Sequence, residues 1–141
     1  MKINFKKLNS NAKTPFHAKY GDAGSDLFAS ESLNIPPHSQ IAVPTGIATE
    51  IPYGYVGYIN PRSSMAIKGI GILNAPGTID SGYRGEIKVI LYNTTDENYV
   101  INVGDKIAQI VIHRFETIDF EQVDELSITD RGAGGFGSTG S

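Results

Sequence analysis

The sequence contains no cysteine. This absence excludes disulfide bonds and thiolate chemistry, and it leaves only histidines and carboxylates to build a zinc site. The three histidines, His17, His38 and His113, do not have the spacing of metal ligands, and each is predicted to be a surface or strand residue. The reducing cytoplasm is the expected compartment, with the nucleus or a virus as the alternative for a source that is not bacterial.

An excess of basic residues is also missing. The chain has 12 Lys and Arg against 15 Asp and Glu, a formal net charge of −3. Proteins that bind nucleic acid neutralise its phosphates and are usually basic, so no nucleic-acid partner is expected. There is no run of about 20 apolar residues and no signal-like start, so the sequence predicts neither a membrane span nor secretion.

Short apolar segments separated by turns are abundant. The chain of 141 residues is 40% apolar, which suits one hydrophobic core, and 16 glycines and seven prolines cut it into short pieces. Residues 86–93 alternate between polar and apolar and then become apolar throughout, which is typical of a strand that enters a two-sided core. Many short strands predict an all-β sandwich or barrel. The predicted strands are 40–44, 55–60, 86–93, 99–103 and 106–115.

One internal segment suits a helix. Residues 63–68 follow Asn60, a good capping residue, and Pro61, which fits a first turn, while Gly69 is a plausible stop. Residues 1–130 are expected to form a single domain. Residues 131–141 are rich in glycine and are expected to form a flexible arm.

Asp80 lies in the glycine-rich segment 77–85, after β-branched residues and before a turn. The first interpretation is an aspartate that accepts turn hydrogen bonds, and the segment alone favours it. The second is a general base, which has to lie within hydrogen-bond reach of a water molecule.

Three other segments also have two interpretations. Arg62, Ser63 and Ser64 lie at the predicted helix start, where backbone amides, hydroxyls and a guanidinium suit a phosphate, unless they only cap a helix. Asp26 either holds Mg²⁺, directly or through water, or begins a strand. The arm is either a flexible linker, an RNA-binding segment or a lid in which Phe136 stacks on a base.

These segments, taken in order, resemble the conserved blocks of the trimeric dUTPase family. The resemblance extends from Ala23 to Gly140. The five blocks are residues 22–27, 61–64, 77–85, 104–109 and the glycine-rich arm. The match departs from common family patterns at Ser25, Met65 and Gly82, and none of these removes Asp80 or Tyr83.

The resemblance implies a mechanism. Asp80 would activate the water that attacks the α-phosphorus of dUTP, giving dUMP and pyrophosphate, and Asp26 would help to hold Mg²⁺, through water. Tyr83 would pack under the deoxyribose and leave no room for a 2′-hydroxyl, while Asn74 would read the uracil edge. The substrate-binding residues implied are Arg62, Ser63, Ser64, Asn74, Gly77, Thr78, Ile79, Tyr83, Lys88, Gln109, Arg131, Phe136, Gly137, Ser138 and Thr139.

The resemblance also implies an architecture and a role. The expected fold is a distorted β-barrel, similar to a jelly roll, with one short helix. Three copies would form a homotrimer in which each site draws on all three chains and the arm closes over it. The activity would keep uracil out of DNA and supply dUMP for thymidylate synthesis.

Two other functions remain open. A dCTP deaminase resembles this family in fold and in the Arg-Ser-Ser block, but it lacks the Asp-x-x-Tyr arrangement of Asp80 and Tyr83 and uses a glutamate base. A regulatory protein on a dUTPase scaffold would bind a partner instead of, or in addition to, its substrate.

Overall fold

The computed structural model describes residues 1–135, which form eleven β-strands and one short helix. In chain order these are β1 (Asn4–Lys7), β2 (Ser25–Phe28), β3 (Leu33–Ile35), β4 (Gln40–Pro44), β5 (Ile47–Glu50), β6 (Tyr55–Asn60), α1 (Ser63–Ala66), β7 (Ile70–Ile72), β8 (Gly77–Ile79), β9 (Lys88–Asn93), β10 (Tyr99–Ile101) and β11 (Lys106–Arg114). No helix in this part of the chain is long and apolar enough to cross a membrane. The predicted roles of Phe136, Gly137, Ser138 and Thr139 lie outside the described residues.

Two sheets carry the fold. The larger has the strand order β2-β11-β6-β8 and the other β4-β9-β7, while β1-β5 and β10-β3 are separate pairs. All pairings are antiparallel. The prediction of an all-β, jelly-roll-like fold with one short helix is confirmed. Within residues 1–135 the sheets remain open and do not close into a barrel.

One core joins the two large sheets. Strand β9 has one fully buried face, with Val89, Leu91 and Asn93 buried, whereas Ile90 and Tyr92 on the other face are only half-buried and not in a two-sided core as the sequence predicts. Apolar residues of the larger sheet, including Leu27 and Ile59, belong to the same buried cluster. Each such side chain contributes roughly 1.5–3 kcal/mol by leaving water.

Strand β11 contains a bulge that places the candidate site. Its register against β2 shifts between Lys106 and Ala108, so the neighbours Ile107 and Ala108 are both buried. Beyond the bulge, Gln109 pairs with Asp26 on one side and with Asn60 on the other. Paired residues in a sheet face the same side, so these polar residues form one row across three strands.

The helix differs from the prediction. It begins after Arg62, which occupies the N-cap without a side-chain capping bond, and it ends at Ala66. Asn60 does not cap it because Asn60 is still the last residue of β6 and pairs with Gln109. Gly69 has a φ of 77°, the left-handed conformation in which glycine ends such a turn.

The segment around Asp80 connects two sheets and is not a simple hairpin, although its glycines would suit one. Strand β8 pairs with β6 in the larger sheet, whereas β9 pairs with β4 and β7 in the other. Residues 80–87 therefore cross from one sheet to the other.

Asn93 is expected to be important for stability. Its fully buried amide nitrogen lies within hydrogen-bond distance of the carbonyls of Ile35, Pro36 and Glu97, and its oxygen accepts from Thr95. We expect Asn93→Ala to lower the free energy of unfolding by about 3 kcal/mol, because buried polar groups lose their partners. Chemical denaturation at fixed protein concentration measures this change.

The exposed Asn98 provides a matched control. Its side chain makes one long contact, 3.4 Å from Asn34, so Asn98→Ala should change the free energy of unfolding by less than about 0.5 kcal/mol. Equal effects of the two substitutions would contradict the importance of Asn93.

Candidate active site

A cleft of about 550 Å³ lies where β2, β11 and the start of α1 meet. We call it the arginine cleft. The predicted residues Asp26, Arg62, Ser63, Ser64 and Gln109 all line it, together with Ala18, Asp22, Ala23, Gly24 and Val111. The structure thus brings together side chains from three separate segments of the sequence.

Arg62 is held in a fixed orientation. Its Nε lies 2.9 Å from Asp26 Oδ1, and its Nη1 donates to Ser64 Oγ at 3.3 Å and to the Lys106 carbonyl at 3.4 Å. Asp26 is buried, and its Oδ2 lies 2.7 Å from Lys106 Nζ. The Asp26 carboxylate is therefore shared by two cations, and it anchors the guanidinium at the edge of the cleft.

Gly24 leaves room for the side chain of Gln109. A Cβ at Gly24 would lie 2.2 Å from Gln109 Oε1 and 3.2 Å from Gln109 Cβ. The Gln109 amide also donates to the Pro61 carbonyl at 3.1 Å. These contacts keep the Gln109 side chain between the turn that precedes β2 and the start of α1.

A second cleft, of about 570 Å³, lies beside the sheet crossing, and we call it the aspartate cleft. The predicted residues Thr78, Ile79, Asp80, Tyr83 and Lys88 line it, together with Ala42, Glu86 and Ile90. Lys88 Nζ lies 3.7 Å from Glu86 Oε2, and both side chains are partly exposed.

The Asp80 side chain is not used by its turn. The turn is closed by the backbone, because the Tyr83 amide donates to the Asp80 carbonyl at 3.0 Å. Within residues 1–135, the Asp80 carboxylate has no hydrogen bond, and the residue is exposed. This argues against the interpretation of Asp80 as a structural turn residue and leaves its carboxylate available to a water molecule in the cleft.

The two clefts are separate on one chain. Among the described residues they share no lining residue. Strand β6 lies between β8 and β11. Ile79 of β8 pairs with Gly57 of β6, and Gln109 of β11 pairs with Asn60 of β6. Strand spacing and rise then put the Cα atoms of Ile79 and Gln109 about 14 Å apart.

Among the predicted residues within the described chain, three line neither cleft. Asn74 lies in the turn before β8, close to Gly77 at the start of that strand, where a Cβ on Gly77 would be 3.5 Å from Asn74 Nδ2. Gly77 is buried against Ile59. Arg131 is exposed in a turn near the end of the described chain.

Lys106 has a role that the sequence analysis missed. It was recognised only as part of a block, yet its ammonium group neutralises the buried Asp26. The contact depends on the antiparallel pairing of β2 with β11, in which Lys106 lies opposite Phe28. A buried Asp needs a cationic partner, which indicates that such a residue exists. The spacing of residues in the sequence does not show which Lys or Arg pairs with Asp26.

Comparisons with known proteins identify the family. The dUTPase family model matches residues 10–140. The deoxyuridine 5'-triphosphate nucleotidohydrolase of Wolinella succinogenes is 51% identical over 99% of this chain and 95% of its own length. That of Thermobifida fusca is 48% identical over 99% of this chain and 79% of its own length.

Solved structures similar to this chain include dUTPases. The Staphylococcus bacteriophage 80alpha dUTPase with dUPNHPP has a TM-score of 0.93 and 31% identity over 99% of both chains. A mutant dUTPase of the S. aureus phage phi11, described with a structural Mg(II) ion, has a TM-score of 0.83 and 30% identity over 89% of this chain and 98% of its own. The chain therefore belongs to the dUTPase family, whose members hydrolyse deoxyuridine 5'-triphosphate, and its activity is that of a dUTP diphosphatase.

Proposed function

We propose that Asp80 is the general base of this dUTP diphosphatase. A water molecule attacks the α-phosphorus of dUTP, its proton passes to the Asp80 carboxylate, and pyrophosphate leaves to give dUMP. The observation that carries the proposal is the exposed Asp80 carboxylate, which has no hydrogen bond within residues 1–135 and lies in a cleft beside Tyr83. The reaction keeps uracil out of DNA and supplies dUMP for thymidylate synthesis.

The aspartate cleft is proposed to bind the nucleoside. Tyr83 is 44% exposed, so one part of its ring is free to lie under the deoxyribose. Thr78, Ile79 and Lys88 form the walls of the same cleft. Asn74 and Gly77, which lie next to each other at the start of β8, are proposed to read the uracil edge together with the backbone that follows them.

The arginine cleft is proposed to bind the phosphates. Arg62 offers a planar donor group that is always charged, and Ser63, Ser64 and Gln109 add neutral donors. The helix α1 has only four residues, so these side chains, and not the helix dipole, are expected to supply most of the attraction. Phosphoryl transfer needs such positioning and charge stabilisation more than covalent help.

Mg²⁺ fits the arginine cleft only through its carboxylates and water. No cluster of three or more His, Cys, Asp or Glu suited to a metal is found among residues 1–135. Asp26 already contacts two cations, and Asp22 lines the same cleft. Since Mg²⁺ keeps several waters and favours substrate phosphates, Asp26 is proposed to hold it through water, where the ion would neutralise charge on the triphosphate.

A homotrimer with shared sites is proposed because the arginine cleft and the aspartate cleft of one chain lie apart from each other. The arginine and aspartate clefts share no lining residue in the described chain, so neighbouring copies would bring one cleft of each kind together. After Thr117, the segment up to residue 135 has no strand or helix and exposes apolar side chains. These side chains, which need a covering surface, are Ile118, Phe120, Val123, Leu126 and Ile128.

Residues 131–141 are proposed to be the arm that completes the site, attached to a single domain of residues 1–130. Arg131, Ser138 and Thr139 would contact the distal phosphates, and Phe136 and Gly137 would cover the uracil. A closing arm excludes water and completes the set of contacts around the substrate.

Pyrophosphate release from dUTP, dTTP, UTP and dCTP with Mg²⁺ tests the proposed reaction. Selective release from dUTP is expected, whereas ammonia release from dCTP would indicate a deaminase. Light scattering tests the assembly, and a monomer at assay concentration would contradict the shared site.

A regulatory role is the second candidate. Phage 80alpha dUTPases similar to this chain are described as controlling transfer of virulence genes by a G protein-like mechanism. A pull-down with and without a non-hydrolysable dUTP analogue tests whether this chain captures a partner in a nucleotide-dependent way.

A further inference from the structure

The ring of Tyr83 lies across the backbone of Gly85. The phenol oxygen donates to the Glu86 carbonyl at 2.9 Å, so the side chain folds back over the residue between them. A Cβ at Gly85 would lie 2.5 Å from Tyr83 Oη, 2.6 Å from Cζ and 2.9 Å from Cε2. The absence of a side chain at Gly85 is therefore what allows the ring to occupy this position.

Backbone conformation does not explain the glycine. The glycines with positive φ in the described chain are at positions 21, 46, 54, 69, 104 and 132, and Gly85 is not among them. An alanine at position 85 would not be strained by a positive φ, but its Cβ position is already occupied. Glycine is needed at position 85 because a Cβ there would overlap the Tyr83 ring.

The Tyr83 ring cannot easily move away from a Cβ at position 85. Its backbone is fixed by the turn bond from the Tyr83 amide to the Asp80 carbonyl, and Arg84 donates to the carbonyls of Ser81 and Tyr83 at 2.6 and 3.0 Å. On the other side, the Ile87 amide donates to the Ile47 carbonyl at 2.8 Å. A phenol ring is rigid, so relief of the clash requires rotation about χ1 or χ2 and loss of the bond to Glu86.

We propose that Gly85 is a specificity-determining positioning residue, which sets the place of the Tyr83 ring and thereby the discrimination between deoxyribose and ribose. The inference rests on the proposed role of Tyr83 against the sugar. Gly85 is not among the residues that line the aspartate cleft, and it acts through the ring. A displaced ring no longer fills the space that a 2′-hydroxyl would need.

The test is the ratio of kcat/KM for dUTP to that for UTP. Steric rejection of one added hydroxyl reaches about 10²-fold, so Gly85→Ala is expected to lower the ratio by about tenfold. Gly82→Ala is the matched control, because Gly82 lies in the same loop without positive φ and a Cβ there meets nothing within 4 Å. An unchanged ratio in Gly85→Ala, or an equal loss in Gly82→Ala, would overturn the inference.

A double substitution shows whether Gly85 acts through the ring. In a Tyr83→Ala background, Gly85→Ala should cause no further loss of the ratio, and a further loss would contradict the inference. If Gly85→Ala does not fold, Tyr83→Phe keeps the ring without its anchor to Glu86 and should lower the ratio about threefold; no change would count against the proposal. If the unsubstituted enzyme itself does not prefer dUTP, the proposed function fails. If it does, but Tyr83→Ala keeps the preference, only the sugar-discrimination inference fails.

Discussion

Asp80→Asn is expected to reduce turnover of dUTP by about 10²–10⁴-fold, the usual contribution of a general base. Asparagine has nearly the same shape as aspartate but cannot accept the proton of the attacking water. The turn around position 80 is closed by backbone atoms, so the substitution leaves that hydrogen bond intact. Affinity for a non-hydrolysable dUTP analogue should therefore remain largely unchanged.

Steady-state pyrophosphate release and calorimetric binding of the analogue measure the two effects separately. Asp96→Asn is a suitable control, since Asp96 is exposed and pairs with His38 in a loop that contributes to neither cleft. Near-normal turnover in Asp80→Asn would exclude the residue as the base. A parallel loss of binding would mean that Asp80 holds the substrate and does not activate water.

The sequence predicts the longer strands well, and the family resemblance names residues that line both clefts. Strands β4 and β6 have the predicted ends, and β9 and β11 differ from the prediction by one or two residues at an end, because their apolar side chains recur along the chain. The segments around Arg62 and Asp80 carry glycines, hydroxyls and charges in a pattern typical of the family. The resemblance to the family, and not local composition, named these groups, since the segment around Asp80 taken alone favours a turn residue.

What the sequence could not predict depends on contacts between distant segments. Strands β3, β7 and β8 have three residues each, too few for a periodic signal. The sharing of Asp26 by Arg62 and Lys106 requires the register of β2 against β11, including its bulge. The crossing of residues 80–87 between sheets likewise follows from pairing partners far away in sequence.

The role of single glycines was equally hidden. Glycines 82 and 85 look alike in sequence, within the same turn-rich segment. In the structure, Gly82 has open space around its Cβ position, whereas Gly85 supports an aromatic ring. Only the fold distinguishes a glycine that allows a turn from one that makes room for a side chain.

Deletion of residues 131–141 is expected to abolish turnover while leaving the core folded. The first residues of this arm are exposed, and their backbone bonds are local, from Gly132 to Thr129 and from Gly134 to Arg131. Removal of residues 131–135 therefore breaks no backbone hydrogen bond to the core within the described chain, and the midpoint of thermal unfolding should hardly change. Activity should be lost because the proposed site would stay open to water and lack the arm's contacts to the phosphates and base.

The decisive comparison uses a variant that keeps the length of the arm but lacks its charged and aromatic side chains. A variant with Arg131→Ser and Phe136→Ser retains a glycine- and serine-rich arm, so it should be nearly as inactive as the deletion if contacts with the nucleotide matter. Activity close to normal in the deletion would exclude a catalytic role for the arm. If light scattering shows that the deletion dissociates the proposed trimer, the arm serves assembly instead, because loss of shared sites would then account for the loss of turnover.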